Sequence, residues 1–377
     1  MSTPAPRFHE RLLGKLLLLV LLPTVLVVLA IGAVNGYRTW VLAEAALLGE
    51  LEGAAKLAVE TVEVENNKAA SLARTMAIAQ TSGLFGERER TLEMCRDLLL
   101  ANPDINGAFV VYEVDADVAD SAGLEGAMPR EAMTETGRFV PYYRRNSAAP
   151  GGIELIPNVN MEDAESLWYR GVKDAFLRTR RPAPMTTRPY LYEGVELIEH
   201  TYPIIIDGAF KGVAGVDRAL AQVQAELVSI RERTGVDILL ETRGRFIAAT
   251  VDAQRGPNSA RLQATEVKDS PFASLFASRS ASGDMVEIFE AIDPQSGEDC
   301  FYAIAQVPTG EWTLIARKPK SELFAALFSM TWANLVTAII GLLIVAAVIV
   351  LFALALRRRV GSAVEAAQRI ADGDLTQ

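Results

Sequence analysis

The stretch that decides the architecture is Leu16–Val34, LLLLVLLPTVLVVLAIGAV, an uncharged run as long as a helix needs to cross the hydrocarbon core of a bilayer. Pro23 does not exclude a spanning helix, because neighbouring groups can satisfy the carbonyl it frees. A second uncharged run, Leu323–Leu356, is longer than one crossing requires. Its start, LFAALFSM, reads as helix still outside the bilayer, with Trp332 near the interface where indole rings prefer to sit. Arg7, Arg11 and Lys15 precede the first run, and Arg357, Arg358 and Arg359 follow the second. Positive flanks stay inside, so both ends are expected in the cytoplasm and the segment between Asn35 and Glu322 outside it. A cleaved signal peptide is the plainer alternative for the first run. Its apolar core exceeds the usual length, however, and no clean A-x-A site follows.

The 377 residues suffice for two folded units besides the spans. With 37 basic against 47 acidic residues, the net charge of −10 argues against a nucleic-acid surface. Cys95 and Cys300 lie far apart, without the close spacing of a zinc or redox motif, and read as isolated buried thiols. Only two histidines occur, His9 and His200. Phosphate loop, nucleophile elbow and metal-ligand spacing are all missing from the sequence, so neither catalysis nor a cofactor is expected in this chain.

Between the spans, residues 37–82 read as one helix, rich in Ala, Leu and Glu and free of proline. At about 1.5 Å per residue, Tyr37 to Gln80 would make a stalk of roughly 65 Å. Such a helix needs partners for its apolar positions, which predicts packing on the following domain and on a second copy, hence a homodimer. A second helix, ERERTLEMCRDLLL, stops at Asn102-Pro103. Strands are then expected at Gly107–Tyr112, Gly137–Arg144, Gly152–Pro157, Pro184–Tyr192, Val195–Ile206 and Phe210–Asp217, with a helix at Ser166–Thr179 and a hairpin turn at Asp207-Gly208. After a connector helix, Ala219–Arg233, a smaller set follows: Asp237–Thr242, Arg245–Thr250, Met285–Ile292, Phe301–Val307 and Thr313–Arg317. The fold class is therefore α+β, with two antiparallel-sheet modules in tandem behind a long helix.

This order of parts resembles the double Cache sensor domains of bacterial receptors, in which one long helix carries two PAS-like modules above the membrane. The similar stretches are Gly137-Arg138-Phe139-Val140-Pro141-Tyr142-Tyr143, Trp168-Tyr169, Arg188-Pro189-Tyr190-Leu191-Tyr192, and Phe210-Lys211-Gly212-Val213-Ala214-Gly215-Val216-Asp217. The C-terminal stretch 357–377 resembles the first helix of a HAMP relay domain, most clearly at Ala371-Asp372-Gly373-Asp374-Leu375, with an apolar seam at Val360, Val364, Ala367 and Ala371. Gly361 stands near a place where that family often has proline. The implied parts are a cytoplasmic N-terminus (1–15), a first span (16–36), a stalk (37–82), a membrane-distal ligand-binding module (83–217), a membrane-proximal module (218–320), a second span (328–356) and an incomplete HAMP helix (357–377). Such fronts are most often those of methyl-accepting chemotaxis receptors, inner-membrane proteins that pass a signal to a cytoplasmic kinase and its adaptor. Sensor histidine kinases, nucleotide cyclases and phosphatases share the same front, and a ligand-free adhesion or scaffold protein is the alternative of another class.

The resemblance implies a ligand in the distal module, held by Tyr142 and Tyr143, Trp168 and Tyr169, Tyr190, and Asp217. Aromatic faces attract an ammonium ion and a carboxylate completes its charge, so an amine or quaternary amine suits this set. Arg144 or Arg188 could meet a ligand carboxylate, which extends the choice to amino acids or organic acids. The amino-acid-binding subgroup usually has arginine two residues before the Trp-Tyr pair. Here that place holds Ser166. His200 reads as a structural histidine. Reporter fusions at Ser147 or Gln254 are expected to be active outside the inner membrane and fusions after Gly361 inside it; both classes on one side would overturn the topology.

Overall fold

The computed structural model describes residues 8–118, 120, 128–163, 166–192, 194–251, 262, 265–278 and 286–371. The chain divides into one unit formed by its two ends, 1–47 and 321–377, and a second formed by 48–320. In the first, helix α1 (Phe8–Ala79) begins and helix α6 (Lys320–Ala371) runs through the second apolar stretch. Both are long and apolar enough to cross a membrane, with mean hydropathy 3.3 over Leu335–Val360. Leu19, Leu29, Leu343 and Leu351 are exposed, an arrangement that water does not tolerate over such an area. Trp40 and Phe324 meet edge to face at 5.4 Å. The last part of the HAMP resemblance, Asp372 to Leu375, lies outside the described residues.

In the second unit α1 buries one narrow face. Leu51, Ala55, Ala58, Val62, Asn66, Ala69, Ala73, Met76 and Gln80 recur at three- and four-residue steps, and each is fully enclosed. Four of these nine residues are alanines. A π-helical turn at Gln80–Leu84 ends it, Gly83 takes a positive φ, and α2 (Arg88–Ala101) follows.

The first sheet contains β1 (Gly107–Tyr112), β2 (Pro141–Arg145), β3 (Ile153–Pro157), β4 (Met185–Thr186), β5 (Tyr190–Tyr192), β6 (Val195–Ile206) and β7 (Ala209–Ala219). Their order is β3-β2-β1-β7-β6-β4, with β5 also on β6, and the pairings are antiparallel. Period-two alternation sends Ala108, Val110, Tyr112, Ala214 and Val216 into a core shared with α1 and α2. Phe109, Val111, Tyr142 and Val213 go to the other face, under α3 (Val172–Thr179) and the π-helical turn Leu167–Gly171 that precedes it. After α4 (Leu220–Thr234), the second sheet holds β8 (Asp237–Thr242), β9 (Arg245–Ala249), β10 (Glu287–Ile292), β11 (Asp299–Val307) and β12 (Trp312–Pro319), ordered β10-β11-β12-β8-β9, with the short α5 (Ala273–Ser278) beside it.

Two expected strands are shorter than the sequence suggested. Residues 137–140 are not ladder, because the buried Arg138 turns back to bond Tyr112 O through Nε at 2.7 Å. Residues 184–192 split into β4 and β5 around Thr187-Arg188-Pro189, where proline cannot donate to a ladder. The Asp207-Gly208 turn is as expected: both residues have positive φ, 51° and 74°, the geometry that matches strand twist in a two-residue hairpin. Cys95 and Cys300 are both free and buried.

Asn66 is, with Gln80, a polar member of the α1 seam. Its Oδ1 accepts from Arg218 Nη1 at 2.8 Å and its Nδ2 donates to Thr309 O at 3.1 Å. Replacing it with leucine leaves a buried guanidinium N–H unmet. Asn66→Leu is expected to cost roughly 3 kcal/mol in unfolding of the purified chain in detergent, whereas Lys56→Ala, which removes an exposed ion pair, changes the midpoint little.

Candidate functional site: a buried carboxylate pair under aromatic rings

Asp217, near the end of β7, is almost fully buried on the face away from α1. Its Oδ2 accepts from the Tyr142 hydroxyl at 2.6 Å, and its Oδ1 has no partner among the described residues. Opposite it on β6 stands Glu199, equally buried, whose Oε2 also has no partner. The two strands do not hydrogen-bond to each other at this pair. Glu199 gives its backbone N–H to Thr187 Oγ1 at 2.9 Å, and its carbonyl accepts from Thr187 N at 2.9 Å. Non-hydrogen-bonded cross-strand pairs bring side chains closest, with Cα atoms about 4.5 Å apart. Among the described residues, neither carboxylate has a cation at ion-pair distance.

Burial pushes the Asp217 carboxyl up to about 6, against the pull of the Tyr142 and Asn106 side chains. Burial also raises Glu199 well above the usual carboxylate range, and the nearby Asp217 charge adds to the rise while the Tyr190 hydroxyl opposes it. Tyr142 and Tyr190 are raised chiefly by burial, then by the charge of their carboxylate neighbours, so both remain hydroxyl donors. Gly107 makes the arrangement possible. A Cβ there would lie 2.8 Å from Asp217 Oδ1 and 2.7 Å from the Tyr142 hydroxyl, so a side chain would displace both.

Two cavities flank the pair. The larger, about 320 Å³, is lined by Trp168, Ser166, Thr187, Arg188, Tyr190 and Arg245 among others; the smaller, about 210 Å³, by Asn106, Tyr142, Arg144, Tyr192 and Leu197 among others. Neither reaches the carboxylates directly. Tyr142 and Tyr190 stand between.

The expected site residues separate into those that converge here and those engaged elsewhere. Trp168 and Tyr190 line the larger cavity and Tyr142 the smaller, whereas Asp217, bonded to Tyr142, lines neither; Trp168 packs edge to face on Phe109 at 5.3 Å. Tyr143 is a correction, because alternation along β2 puts it on the opposite face, in the core shared with α1 and α2. Tyr169 is held by Arg138, which donates to its hydroxyl and lies over its ring at 5.0 Å; it supports the wall. Arg144 and Arg188 line the smaller and the larger cavity respectively, each paired with a carboxylate, Glu154 at 2.9 Å and Glu266 at 3.1 Å, with Arg188 Nε left without a partner among the described residues. His200 lies on the helix side, its Nδ1 at 3.2 Å from Thr186 Oγ1, and burial lowers it to about 3, so it stays neutral. Glu199 was not among the expected residues. The signal that would have found it is the hairpin itself, counted outward from Asp207-Gly208 with allowance for a one-residue shift.

A carboxyl that ionises near 6 in the fold, against an ordinary 3.8, costs the ligand-free chain about 3 kcal/mol once both states are ionised. Because the folded value is raised, this penalty is absent below pH ~4, grows as pH rises, and is complete above pH ~6. Asp217→Asn is therefore expected to raise the unfolding midpoint at neutral pH and to leave it nearly unchanged at pH ~4, measured by thermal melting at both.

No family model matches the chain. The methyl-accepting chemotaxis protein TlpQ of Pseudomonas aeruginosa is 28% identical over 153 residues, which are 37% of this chain and 20% of that protein. The extracellular domain of the histidine kinase mmHK1S-Z3 superposes with a TM-score of 0.61 at 22% identity, covering 76% of this chain and 98% of that one. Methyl-accepting chemotaxis protein X superposes at 0.57 with 19% identity, covering 73% and 98%. With its long helix, its two antiparallel sheets in series and helices able to cross a membrane at both ends, the chain has the Cache-like fold of extracellular sensor domains from chemoreceptors and histidine kinases.

Proposed function

We propose that this chain is the sensing half of an inner-membrane receptor, most simply a chemotaxis transducer, and that its distal module (83–217) binds a small cationic amine. The observation that carries the ligand class is Asp217: a carboxylate sealed under aromatic rings, with one oxygen unmet and no cation beside it. Such a group gains most from a ligand that brings positive charge and hydrogen-bond donors together. Trp168 and Tyr190 supply ring faces for the same charge. An anionic ligand would need a guanidinium; Arg144 and Arg188 line the cavities but are each already paired with a carboxylate, only Arg188 Nε being left unmet among the described residues. An α-amino acid would need a partner for its own carboxylate, and Ser166 stands where the similar family has arginine.

The second span and the helix after it would carry the signal to a HAMP relay, and the receptor would act as a homodimer in which two stalks pair. Exposed Val64 and Ile78 on α1 support such pairing. A histidine kinase output is compatible with the same front. A thermal-shift screen of amines, amino acids and organic acids on the purified chain tests the ligand class. Amines are expected to raise the midpoint. By calorimetric titration, Asp217→Asn should lose about 2 kcal/mol or more of binding and Trp168→Ala should weaken it as well. Stabilisation by organic acids alone, or binding untouched by Asp217→Asn, would reject the amine reading.

A further inference from the structure

We propose that Glu199 and Asp217 together form a seat for an ammonium group carrying at least two N–H donors, so that the distal module selects primary and secondary amines over quaternary ones. This rests on the amine reading above and adds a second carboxylate to it. Positive charge alone does not meet what the buried pair presents. Tyr142, Tyr190 and Trp168 could hold a quaternary ammonium by their ring faces, and nothing about rings distinguishes it from a primary one. The acceptors do distinguish them. Asp217 Oδ1 and Glu199 Oε2 belong to neighbouring side chains on one face of the sheet, both are enclosed, and both are without a partner among the described residues.

An acceptor shut away from water loses free energy until something donates to it. One ammonium with two N–H bonds would answer both oxygens and place its charge between the carboxyls. A trimethylammonium group would bring charge and three methyl groups, and would leave both acceptors desolvated and unmet. The geometry is held from three sides: Tyr142 fixes the other oxygen of Asp217, Thr187 fixes the Glu199 backbone, and Gly107 leaves the space that any Cβ would occupy. The rest of the ligand would extend past Tyr190 into the larger cavity, where Trp168 and Thr187 line the wall.

Graded N-methylation tests this without altering the protein. The full chain in lipid nanodiscs is titrated calorimetrically with 2-phenylethylamine and its N-methyl, N,N-dimethyl and N,N,N-trimethyl derivatives, and with the corresponding butylamine series. Charge is constant along each series and N–H count falls from three to none. Affinity is expected to drop roughly tenfold or more between the secondary and quaternary members. In Glu199→Leu, which keeps the bulk and removes the acceptor, the primary amine should weaken by roughly tenfold and the difference along the series should shrink. Equal affinity for primary and quaternary members, or a Glu199→Leu variant that weakens every member alike, overturns the proposal while leaving the amine reading standing. If no member of either series binds the unaltered chain, the amine reading itself fails, and the seat with it.

Discussion

Arg218 is the constraint on which the outer unit depends. It is fully enclosed, where a guanidinium is costly unless it is paired and hydrogen-bonded, and two of its three nitrogens are answered while Nε has no partner among the described residues. Nη1 donates to Asn66 on α1 and Nη2 to Glu226 on α4, at 2.8 and 2.6 Å. Asn66 passes the connection on to the carbonyl of Thr309, and Thr309 in turn donates to Glu63 through its backbone N–H at 2.9 Å and its hydroxyl at 2.8 Å. One cation therefore ties the long helix, the last strand of the first sheet, the connector helix and the β11–β12 turn of the second sheet. Breaking such a group by removing one partner typically costs about 3–5 kcal/mol, far more than any exposed ion pair on the helix.

Asp217 and Arg218 are consecutive, and alternation turns them to opposite faces of β7. The carboxylate lies on the side of the aromatic rings, bonded to Tyr142, while the guanidinium clamps the helix on the other. Any ligand that reorders Asp217 therefore acts on the residue joined to the clamp. The same burial keeps His200 neutral, with the Arg218 charge acting in the same direction. His200 is therefore not a proton switch at physiological pH.

The two modules treat their buried acids differently. In the second sheet, Arg317 donates to Asp293 at 2.6 Å and to Asp237 at 2.7 Å, Arg231 also donates to Asp237, and Tyr302 donates to Asp293. Those carboxylates are neutralised in place, and against the cost of burial the Arg317 guanidinium, with the Ser296 N–H and the Tyr302 hydroxyl, holds Asp293 below its ordinary range. In the first sheet, Asp217 and Glu199 are enclosed without a cation and held above theirs. A fold that leaves acids in this state gives up stability at one site.

Sequence alone determined the elements and the alternation: the two apolar helices, the long proline-poor α1 segment, the Asp207-Gly208 hairpin and the placement of Asp217 on a strand face. It also contained the reason that Tyr142 and Tyr143 cannot both face one pocket, since neighbours on a strand point apart. The partners of Arg144 and Arg188 lay beyond it, because ion pairing depends on which loops the fold brings near. So did the partner of Asp217. Counted straight outward from the hairpin, Ile206 against Ala209 would set Ile198 against Asp217, and the pocket would hold one acid facing an apolar side chain. The pairing instead shifts by one residue between Ile204 and Ile205, where Lys211 is the extra residue on β7, and Glu199 comes opposite Asp217. A bulge adds a residue to one strand and so changes which residues stand opposite one another from there on. Only the packed sheet decides where that residue is inserted, and with it whether the site holds one carboxylate or two.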